Sequence, residues 1–211
     1  MVQTHRTRVE DRIGRAIDVV VAAAMLAFFA PLFVTVGFLV FLEDGGPAIF
    51  AQERIGRHGK RFKCFKFRSM AVDAEDWLKE LLQDSPAMRA EWDVGRKLRH
   101  DPRQTLIGRF LRRSSIDELP QLLNILRGDM SLVGPRPIVG EEIDRYGVHF
   151  RHYCLVRPGL TGLWQVSGRS DLTYHERVVM DVAYVRSKCL TLDLTILFKT
   201  LPAVFLQRGS Y

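Results

Sequence analysis

The stretch that decides how this chain folds is residues 112–137, which read RRSSIDELPQLLNILRGDMSLVGPRP. Apolar side chains recur at positions 119, 122, 123 and 126, the spacing of one face of a helix. Pro120 is tolerated only in a first turn, where its missing N–H has no intrahelical partner anyway. The pattern therefore predicts a helix that starts at the acidic pair Asp117 and Glu118, with Asp117 at or next to the N-cap. Ser115 with Glu118 three residues later also fits a capping box.

The acidic pair suggests chemistry as well as capping. A carboxylate at a helix start lies in the positive field of the helix and accepts bonds from free N–H groups, and both effects favour the ionised form. An ionised carboxylate can bind a metal ion or act as a nucleophile. Side chains at adjacent positions point about 100° apart on a helix. We therefore expect one acid to react while the other holds a cation; an ordinary N-cap followed by an exposed Glu is the alternative.

Composition narrows the classes of function. The 211 residues suit one compact domain with an appendage, and the net charge of +7 favours anionic partners such as phosphates or acidic lipids. Three widely spaced cysteines predict reduced thiols rather than a disulfide framework or a C-x-x-C metal site. The sequence contains no H-E-x-x-H, G-x-S-x-G, Walker A or Rossmann spacing. From Arg96 to Arg136 nine basic residues face four acids, so the acidic pair lies in a positive region.

A membrane segment is predicted near the N-terminus, after a basic leader at residues 1–16. Residues 19–42 carry no charge, long enough for one helix to cross a bilayer. Pro31 interrupts the run, and each half would span only roughly 18 Å. Positive charge flanks both ends, which predicts that both lie in the cytoplasm. A re-entrant helix over residues 17–42, broken at Pro31, fits these features, and from the residues alone a kinked spanning helix fits them as well.

Residues 47–70 predict a β-hairpin with its turn around His58 and Gly59. Basic and aromatic residues alternate in its second strand, which is typical of a half-buried strand at a membrane surface or of a nucleic-acid platform. We favour the membrane surface because the apolar segment ends only a few residues earlier, and we expect no nucleic-acid partner. Residues 71–93 predict a helix with a break at Ser85-Pro86, and residues 139–154 predict another.

Further candidate binding residues follow the acidic pair. Prolines on both sides stiffen the backbone at Arg136, an arrangement suited to gripping a phosphate. Residues 157–169 predict a glycine-rich loop that lets backbone approach a ligand, with Arg157, Gln165 and Arg169 as donors. A helix over residues 174–187 carries Asp181. The apolar C-terminal segment, about 190–207, predicts an interfacial helix, although it could equally serve a homodimer.

Several of these motifs together resemble the bacterial sugar transferases, the small monotopic phosphoglycosyl transferases. The resemblance covers nearly the whole chain after the basic leader, and the chain resembles the minimal catalytic form of that family. The central block is the most specific part. The matching motifs, in chain order, are KFRSM, DPR, IGRFLRRSSIDELPQLLNILRGDMSLVGPRP, RPGLTGLWQVSGR, DVAYV and LDLTIL.

The resemblance implies a mostly helical α+β fold. Such a fold has a re-entrant membrane segment, a small β-hairpin and a compact catalytic domain, residues 43–211, with interfacial amphipathic helices. It implies an enzyme of the bacterial inner membrane that faces the cytoplasm and contacts phospholipid. The implied reaction moves a hexose-1-phosphate from a UDP-sugar to undecaprenyl phosphate and releases UMP. UDP-galactose and UDP-glucose are the expected donors, by likeness to members that start exopolysaccharide synthesis.

The resemblance also implies roles for individual residues. Asp117 matches the family nucleophile, which forms an aspartyl phosphosugar, and Glu118 matches its acidic partner, associated with Mg²⁺. Arg112 and Arg136 match arginines near the phosphates, and Asp181 matches a further acid assigned to the metal site.

The sequence departs from the family pattern in one place, and two other functions are alternatives to phosphoglycosyl transfer. Leu163-Trp164 and Ser167 differ from the family pattern in the glycine-rich loop, so nucleotide contacts do not carry over there. A membrane-anchored glycosyltransferase without a covalent intermediate is one rival. A non-enzymatic, membrane-bound scaffold for polysaccharide assembly is the other.

Overall fold

The computed structural model describes residues 8–95, 98, 100–168 and 172–205. Over these residues the chain is mostly helical, with two pairs of short strands, which confirms the predicted α+β class. The helices are α1 (Arg8–Asp44), α2 (Ala74–Asp84), α3 (Pro86–Gly95), α4 (Leu106–Ser114), α5 (Gln121–Arg127), α6 (Ile143–Tyr146), α7 (Phe150–Tyr153), α8 (Leu163–Ser167), α9 (Tyr174–Ser187) and α10 (Leu190–Phe205). The strands are β1 (Ile49–Ile55), β2 (Arg61–Phe67), β3 (Ser131–Val133) and β4 (Gly159–Thr161).

Helix α1 is the membrane-segment candidate. It is long and apolar enough to cross a bilayer, the only helix of the described residues that is, and little of its apolar window is buried in the protein. The helix continues through Pro31 as one α-helix. The predicted helix–break–helix form is therefore not visible as two separate helices, and re-entry into one leaflet stays a prediction.

The N-terminal half of α1 is fastened to the centre of the molecule. Arg15 donates to the carbonyl oxygens of Ile125 at 2.7 Å and Leu126 at 3.0 Å, near the end of α5. The buried Asp18 carboxylate accepts from the hydroxyl of Ser131, at 2.8 Å from Oδ2, and from the backbone N–H of Leu132 at 2.9 Å. Ala22, fully buried, joins the main apolar core. This half therefore packs as an ordinary core helix along one stripe.

The C-terminal half of α1 is fastened to the same body. Val36 and Val40 are buried against Phe67 of β2 and Leu111 of α4. The Asp44 carboxylate pairs with Arg68, and the Glu43 carboxylate accepts from the backbone N–H groups at the start of α4. Both ends of the apolar helix are thus attached to one folded unit.

The predicted hairpin is confirmed. Strands β1 and β2 pair antiparallel from Ile49 opposite Phe67 to Ile55 opposite Arg61. The turn contains Gly59, as predicted, and His58 in the left-handed region at φ 61°. The predicted break between α2 and α3 at Ser85-Pro86 and the predicted helix at residues 174–187 are also confirmed.

The predicted glycine-rich loop at residues 157–169 is wrong in its described part. It forms β4, which pairs in parallel with β3, and then α8. A Cβ on Gly159 would overlap the backbone nitrogen of Gly134, and a Cβ on Gly134 would overlap the carbonyl of Arg157. These glycines therefore permit two strands to approach each other, rather than a strand to approach a ligand.

Two predicted helix boundaries also need correction. Residues 139–154 form short helical turns with α6 and α7 rather than one helix, interrupted at Gly147, whose φ is +50°. Helix α10 is confirmed through Phe205, with Pro202 inside it. It exposes Leu194 and Phe198, and the predicted interfacial or dimer-forming role of this helix stays a prediction.

Candidate active site

The acidic pair lies in a short 3₁₀ turn, Ile116–Glu118, and not at the N-cap of an α-helix as predicted. Ser115 turns the chain with φ 59° and makes no side-chain cap bond, so the predicted capping box is absent. Helix α5 begins only at Gln121, because Pro120 has no N–H to continue the hydrogen-bond ladder. This turn buries Asp117, whose side chain is 9% exposed.

Two cations hold the pair. Lys66 of β2 places its ammonium nitrogen 2.7 Å from Glu118 Oε1 and 3.7 Å from Asp117 Oδ2. Arg136 places one terminal nitrogen 3.4 Å from the same Glu118 oxygen. The hairpin and the Pro-Arg-Pro turn thus bring positive charge to the acids from two separate parts of the chain.

The two acids differ in acidity. Burial alone would raise the pKa of Glu118, but Lys66 and Arg136 outweigh it and lower that pKa to about 2. The pKa of Asp117 is raised instead, by burial and by the neighbouring Glu118 charge, against opposition from Lys66, Arg112 and Arg136. The expectation that a helix start would favour ionised Asp117 is therefore wrong, since burial dominates at this position. Two adjacent carboxylates with different acidities suit two different roles.

An open pocket of about 250 Å³ lies beside Glu118. It combines three basic groups with the side chain of one predicted donor, Gln165, and with the backbone of β4. Its lining comprises Arg54, Cys64, Lys66, Glu118, Gln121, Arg136, Pro137, Gly159, Leu160 and Gln165. The size and charge of this pocket suit a phosphate-bearing part of a substrate.

The turn that carries Arg136 is fixed by three hydrogen bonds, one partly buried and two buried. Arg54 donates to the carbonyl of Pro137 at 3.0 Å. The Tyr153 hydroxyl accepts from the backbone N–H of Ile138 and donates to the carbonyl of Ile55 at 2.6 Å. Because these partners come from β1 and α7, the guanidinium of Arg136 projects from a rigid support.

The remaining predicted donors are placed differently. Arg112 lies close enough to lower the pKa of Asp117, and its Nε donates to Ser69 Oγ at 3.1 Å. Arg157 does not line the pocket beside Glu118; its Nε donates to the Gly128 carbonyl, and it faces a second pocket beside α1. Arg169 lies outside the described residues.

Asp181 does not join the acidic pair. Its Oδ2 accepts from the Tyr146 hydroxyl at 2.6 Å, and its Oδ1 is buried without a hydrogen-bond partner among the described residues. Burial raises the pKa of Asp181 to about 7 although the Tyr146 bond opposes the rise. Among the described residues no group of three or more His, Cys, Asp or Glu side chains is close enough to hold a metal ion. The predicted set of three carboxylates is therefore not assembled.

The donor set of Asp117 and Glu118 still fits magnesium. This ion binds one or two protein carboxylates and completes its shell with water and substrate phosphates, so a third acid is not required. The ammonium group of Lys66 already contacts both carboxylates. A magnesium ion would therefore share these two acids with Lys66 or displace it from them.

Sequence reasoning missed three groups at this site: Lys66, Arg54 and Gln121. Lys66 shares the strand register of Phe62 and Cys64, the side of β2 that packs on the core, and a lysine in that register is a signal that could have identified it. Gln121 is buried one turn after Glu118, although the predicted helix register places it opposite the apolar face of residues 119, 122, 123 and 126. No local signal distinguishes Arg54 from the other basic residues of the hairpin.

Comparison with known proteins agrees with this geometry. A model of the family described as bacterial sugar transferase matches residues 9–207. An undecaprenyl-phosphate galactose phosphotransferase of Salmonella typhimurium is 50% identical over 199 residues, which cover 94% of this chain and 42% of that protein. The exopolysaccharide production protein ExoY of Sinorhizobium fredii is 50% identical over 197 residues, covering 93% of this chain and 87% of that protein.

A third relative has a different sugar in its name. The UDP-glucose:undecaprenyl-phosphate glucose-1-phosphate transferase of Caulobacter vibrioides is 40% identical over 209 residues, covering 95% of this chain and 73% of that protein. The chain thus spans less than half of the Salmonella relative but most of the other two. With a family match that extends over almost every described residue, this chain belongs to the bacterial sugar transferase family.

Proposed function

We propose that this chain transfers a hexose-1-phosphate from a UDP-sugar to undecaprenyl phosphate, giving undecaprenyl-diphospho-sugar and UMP. The observation that carries the proposal is the pair of buried Asp117 and half-buried Glu118, held by Lys66 and Arg136 beside an open pocket. The names of the relatives support the same substrates, a UDP-sugar donor and an undecaprenyl phosphate acceptor. A scaffold would have no need to bury two adjacent acids among cations.

In the first step the Asp117 carboxylate attacks the β-phosphorus of the UDP-sugar. A bond forms between a carboxylate oxygen and that phosphorus, and the bond from the phosphorus to the bridging oxygen breaks. UMP leaves with the bridging oxygen and its electron pair. A phosphate monoester has a second pKa of about 6, so UMP is stable as the departing anion and needs no proton donor.

In the second step a phosphate oxygen of undecaprenyl phosphate attacks the same phosphorus. The bond to Asp117 breaks, and the carboxylate is regenerated without gain or loss of a proton. Dividing the transfer into two displacements suits a carboxylate nucleophile. It also separates the arrival of the lipid from the departure of UMP, so one pocket serves both substrates in turn.

The basic residues neutralise phosphate charge in both steps. Arg136 projects into the pocket from its rigid turn and offers a planar pair of N–H donors to an equatorial phosphate oxygen. Lys66 keeps Glu118 ionised and lowers the pKa of Asp117 against burial, which favours the nucleophilic form. Arg112 acts on Asp117 in the same direction from α4. Mg²⁺, held by Asp117 and Glu118, would neutralise diphosphate charge when bound.

Galactose or glucose is the proposed sugar. Both appear in the names of relatives that match most of this chain. Leu160 and Gln165 line the pocket beside the catalytic pair and are the candidates to contact the sugar or the nucleotide.

We further propose that the chain is monotopic, with α1 re-entering the cytoplasmic leaflet. The support is that Asp18 near one end of α1 and Asp44 at the other both bond to the same folded unit. A helix that delivered its ends to opposite sides of the membrane would not allow this. Such placement brings the acidic pair to the surface where the phosphate of the acceptor lipid lies.

Mass spectrometry of the intact protein tests the covalent mechanism. The protein in lipid particles is incubated with Mg²⁺ and UDP-galactose or UDP-glucose, without undecaprenyl phosphate. A hexose-phosphate adduct is expected on the wild type but not on Asp117→Asn. The control Asp73→Asn, which changes an exposed acid just before α2, should also carry the adduct. Absence of an adduct across these donors and UDP-N-acetylated sugars contradicts a covalent step. Chelation of Mg²⁺ is expected to abolish the adduct in the same assay.

Cysteine accessibility tests the membrane topology. In a background with the three native cysteines replaced by alanine, Val9→Cys and Ile49→Cys place exposed thiols on either side of the apolar segment. A re-entrant helix predicts that a membrane-impermeant maleimide labels both sites in inside-out vesicles and neither in intact spheroplasts. Labelling of either site from outside the cell contradicts the monotopic proposal.

A further inference from the structure

A second pocket lies beside the first turns of α1 and is distinct from the one beside Glu118. It comprises about 440 Å³ of open space and is formed where α1, the hairpin turn, β3, the end of α7 and the end of α9 meet. We call it the arginine pocket, because Arg15, Arg57 and Arg157 all face it, together with Lys188. Asp11 and Asp18 are the acids in its lining, so four cations face two carboxylates.

Arg57 is the unexplained group of this pocket. Its side chain lies at the hairpin tip, where the His58 N–H donates to the Cys154 carbonyl at 2.8 Å and fixes the tip against α7. The Nε atom of Arg57 is fully buried and has no hydrogen-bond partner among the described residues. A buried guanidinium N–H without an acceptor is costly, and such groups in native proteins point to a missing water or ion.

The other two arginines are anchored but keep donors for a ligand. Arg15 uses its terminal nitrogens on the carbonyls of Ile125 and Leu126, and Arg157 uses Nε on the carbonyl of Gly128. Within the described residues, neither terminal nitrogen of Arg157 makes a hydrogen bond. Burial lowers the pKa of Arg157, and the charges of Arg15 and Arg57 lower it further, against opposition from Asp18 and Asp11.

The buried acid of the pocket, Asp18, does not cancel this charge at Arg57. Both oxygens of Asp18 already accept from Ser131, and Oδ1 also accepts from the Leu132 N–H. Among the described residues, Asp18 forms no ion pair with Arg57. The arrangement therefore holds positive charge in place by bonds to α5 and leaves the Arg57 guanidinium facing open space.

Along α1, the arginine pocket lies directly before the uncharged segment. Asp18 is its last α1 residue, and the uncharged run begins at the next position, Val19. If α1 enters the membrane as proposed above, the pocket lies at the depth of the lipid headgroups. The same pocket is equally accessible to a phosphate compound in solution.

We propose that the arginine pocket is a second anion site, which binds a phosphate group through Arg57 and the terminal nitrogens of Arg157. The two sources of that phosphate are an anionic phospholipid headgroup and free phosphate. The planar guanidinium groups suit bidentate contacts to phosphate oxygens. Only the headgroup source depends on the proposed membrane placement. Binding here is independent of turnover at Asp117, because none of the acidic pair lines the pocket.

Titration calorimetry on the purified full chain in an uncharged detergent tests the proposal. The probes are inorganic phosphate, dihexanoyl phosphatidylglycerol and, as the zwitterionic comparison, dihexanoyl phosphatidylcholine. Arg57→Gln is expected to weaken binding about tenfold, the effect of losing one charge-assisted contact. Arg61→Gln is the matched control, since it removes one charge from an exposed arginine of the same hairpin. Arg136→Gln reports on phosphate bound in the catalytic pocket.

Each outcome decides the proposal. Binding of phosphatidylglycerol that depends on Arg57 identifies a headgroup site, and binding of phosphate alone that depends on Arg57 identifies a soluble ligand. Absence of binding, or binding that is unchanged in Arg57→Gln, overturns the proposal, as does binding that only Arg136→Gln removes. Since the Arg57 side chain makes no hydrogen bond among the described residues, Arg57→Gln should unfold at the wild-type temperature. Arg57→Lys keeps the charge without the planar fork and should bind with intermediate affinity.

Discussion

The ammonium group of Lys66 lies 2.7 Å from a carboxylate oxygen of Glu118, and the same nitrogen is 3.7 Å from Asp117. One side chain of the hairpin therefore controls the charge of both acids. It does so from β2, 52 residues before Glu118 in the chain. The contact links the element beside the membrane segment directly to the proposed nucleophile.

Replacing Lys66 with methionine should raise the pKa of both acids. Burial would then act on Glu118 and Asp117 without the largest opposing charge, so a smaller fraction of Asp117 is ionised at a given pH. The acidic limb of the pH–rate profile should move to higher pH, and the rate at neutral pH should fall by about 10²-fold. Lys66→Arg keeps the charge and should restore most of the profile. An unshifted acidic limb in Lys66→Met would contradict this role.

Asp181 should make the protein less stable as pH rises. Its folded-state pKa of about 7 lies above its ordinary value, so the folded protein holds a proton that the unfolded chain has lost. The stabilisation is complete below the unfolded pKa of about 4 and is lost as pH rises through about 7. Thermal unfolding of the wild type and Asp181→Asn between pH 5 and pH 8.5 measures the effect. As the pH rises, the unfolding midpoint of the wild type should fall relative to that of Asp181→Asn. A difference between the two midpoints that stays constant with pH would argue against a raised pKa of Asp181.

Gly159→Ala should disrupt the strand that lines the pocket beside Glu118. An added Cβ would overlap the backbone nitrogen of Gly134, and neither backbone segment can move without breaking the β3–β4 pairing. We expect a loss of about 1–3 kcal/mol in the free energy of unfolding, the usual cost of overpacking. Gly140→Ala is the matched control, because nothing lies within 4 Å of its added Cβ. Equal denaturation midpoints for the two variants would show that the strands can separate freely.

Asp18→Ala should loosen α1 from the folded unit. The Ser131 hydroxyl and the Leu132 N–H would remain buried without their acceptor, at a cost of about 1–3 kcal/mol each. Limited proteolysis and thermal unfolding should both report the loss. Thr35→Ala, on the same helix, removes an exposed hydroxyl that bonds only within α1, and it should behave as the wild type. If Asp18→Ala and Thr35→Ala are cleaved at the same rate and unfold at the same temperature, Asp18 does not anchor α1.

Short sequence patterns correctly predicted the elements that are determined by neighbouring residues. The hairpin around Gly59, the break at Ser85-Pro86 and the helix of residues 174–187 each carry their own turn residue, breaker or cap, and each is confirmed. The start of α5 was misplaced by a few residues because Ser115 takes a left-handed conformation that nothing in its neighbourhood requires.

Long-range contacts explain the remaining differences. The parallel β3–β4 pair joins residues 131 and 159, and no periodicity in three-residue strands reveals such a pairing. The raised pKa of Asp117 follows from burial under β2, which no local rule for helix starts includes. Arg157 and Asp181 lie in motifs that resemble those of the family, yet Arg157 faces the arginine pocket and Asp181 bonds to Tyr146. Motif spacing drew attention to the acidic pair of the proposed mechanism but could not assign the surroundings of Arg157 and Asp181.

The attachment of α1 also has a consequence for biosynthesis. Asp18 leaves the ribosome 113 residues before its partner Ser131, and Arg15 precedes Ile125 by 110 residues. At translation rates of roughly 5–20 residues per second, the apolar helix waits about 5–25 s for the surface that will hold it. During that interval only lipid or a chaperone can cover its exposed apolar side chains. If α1 enters the membrane as proposed, lipid covers the nascent helix before Ile125 and Ser131 are made, and the rest of the chain folds against a helix that is already in the membrane.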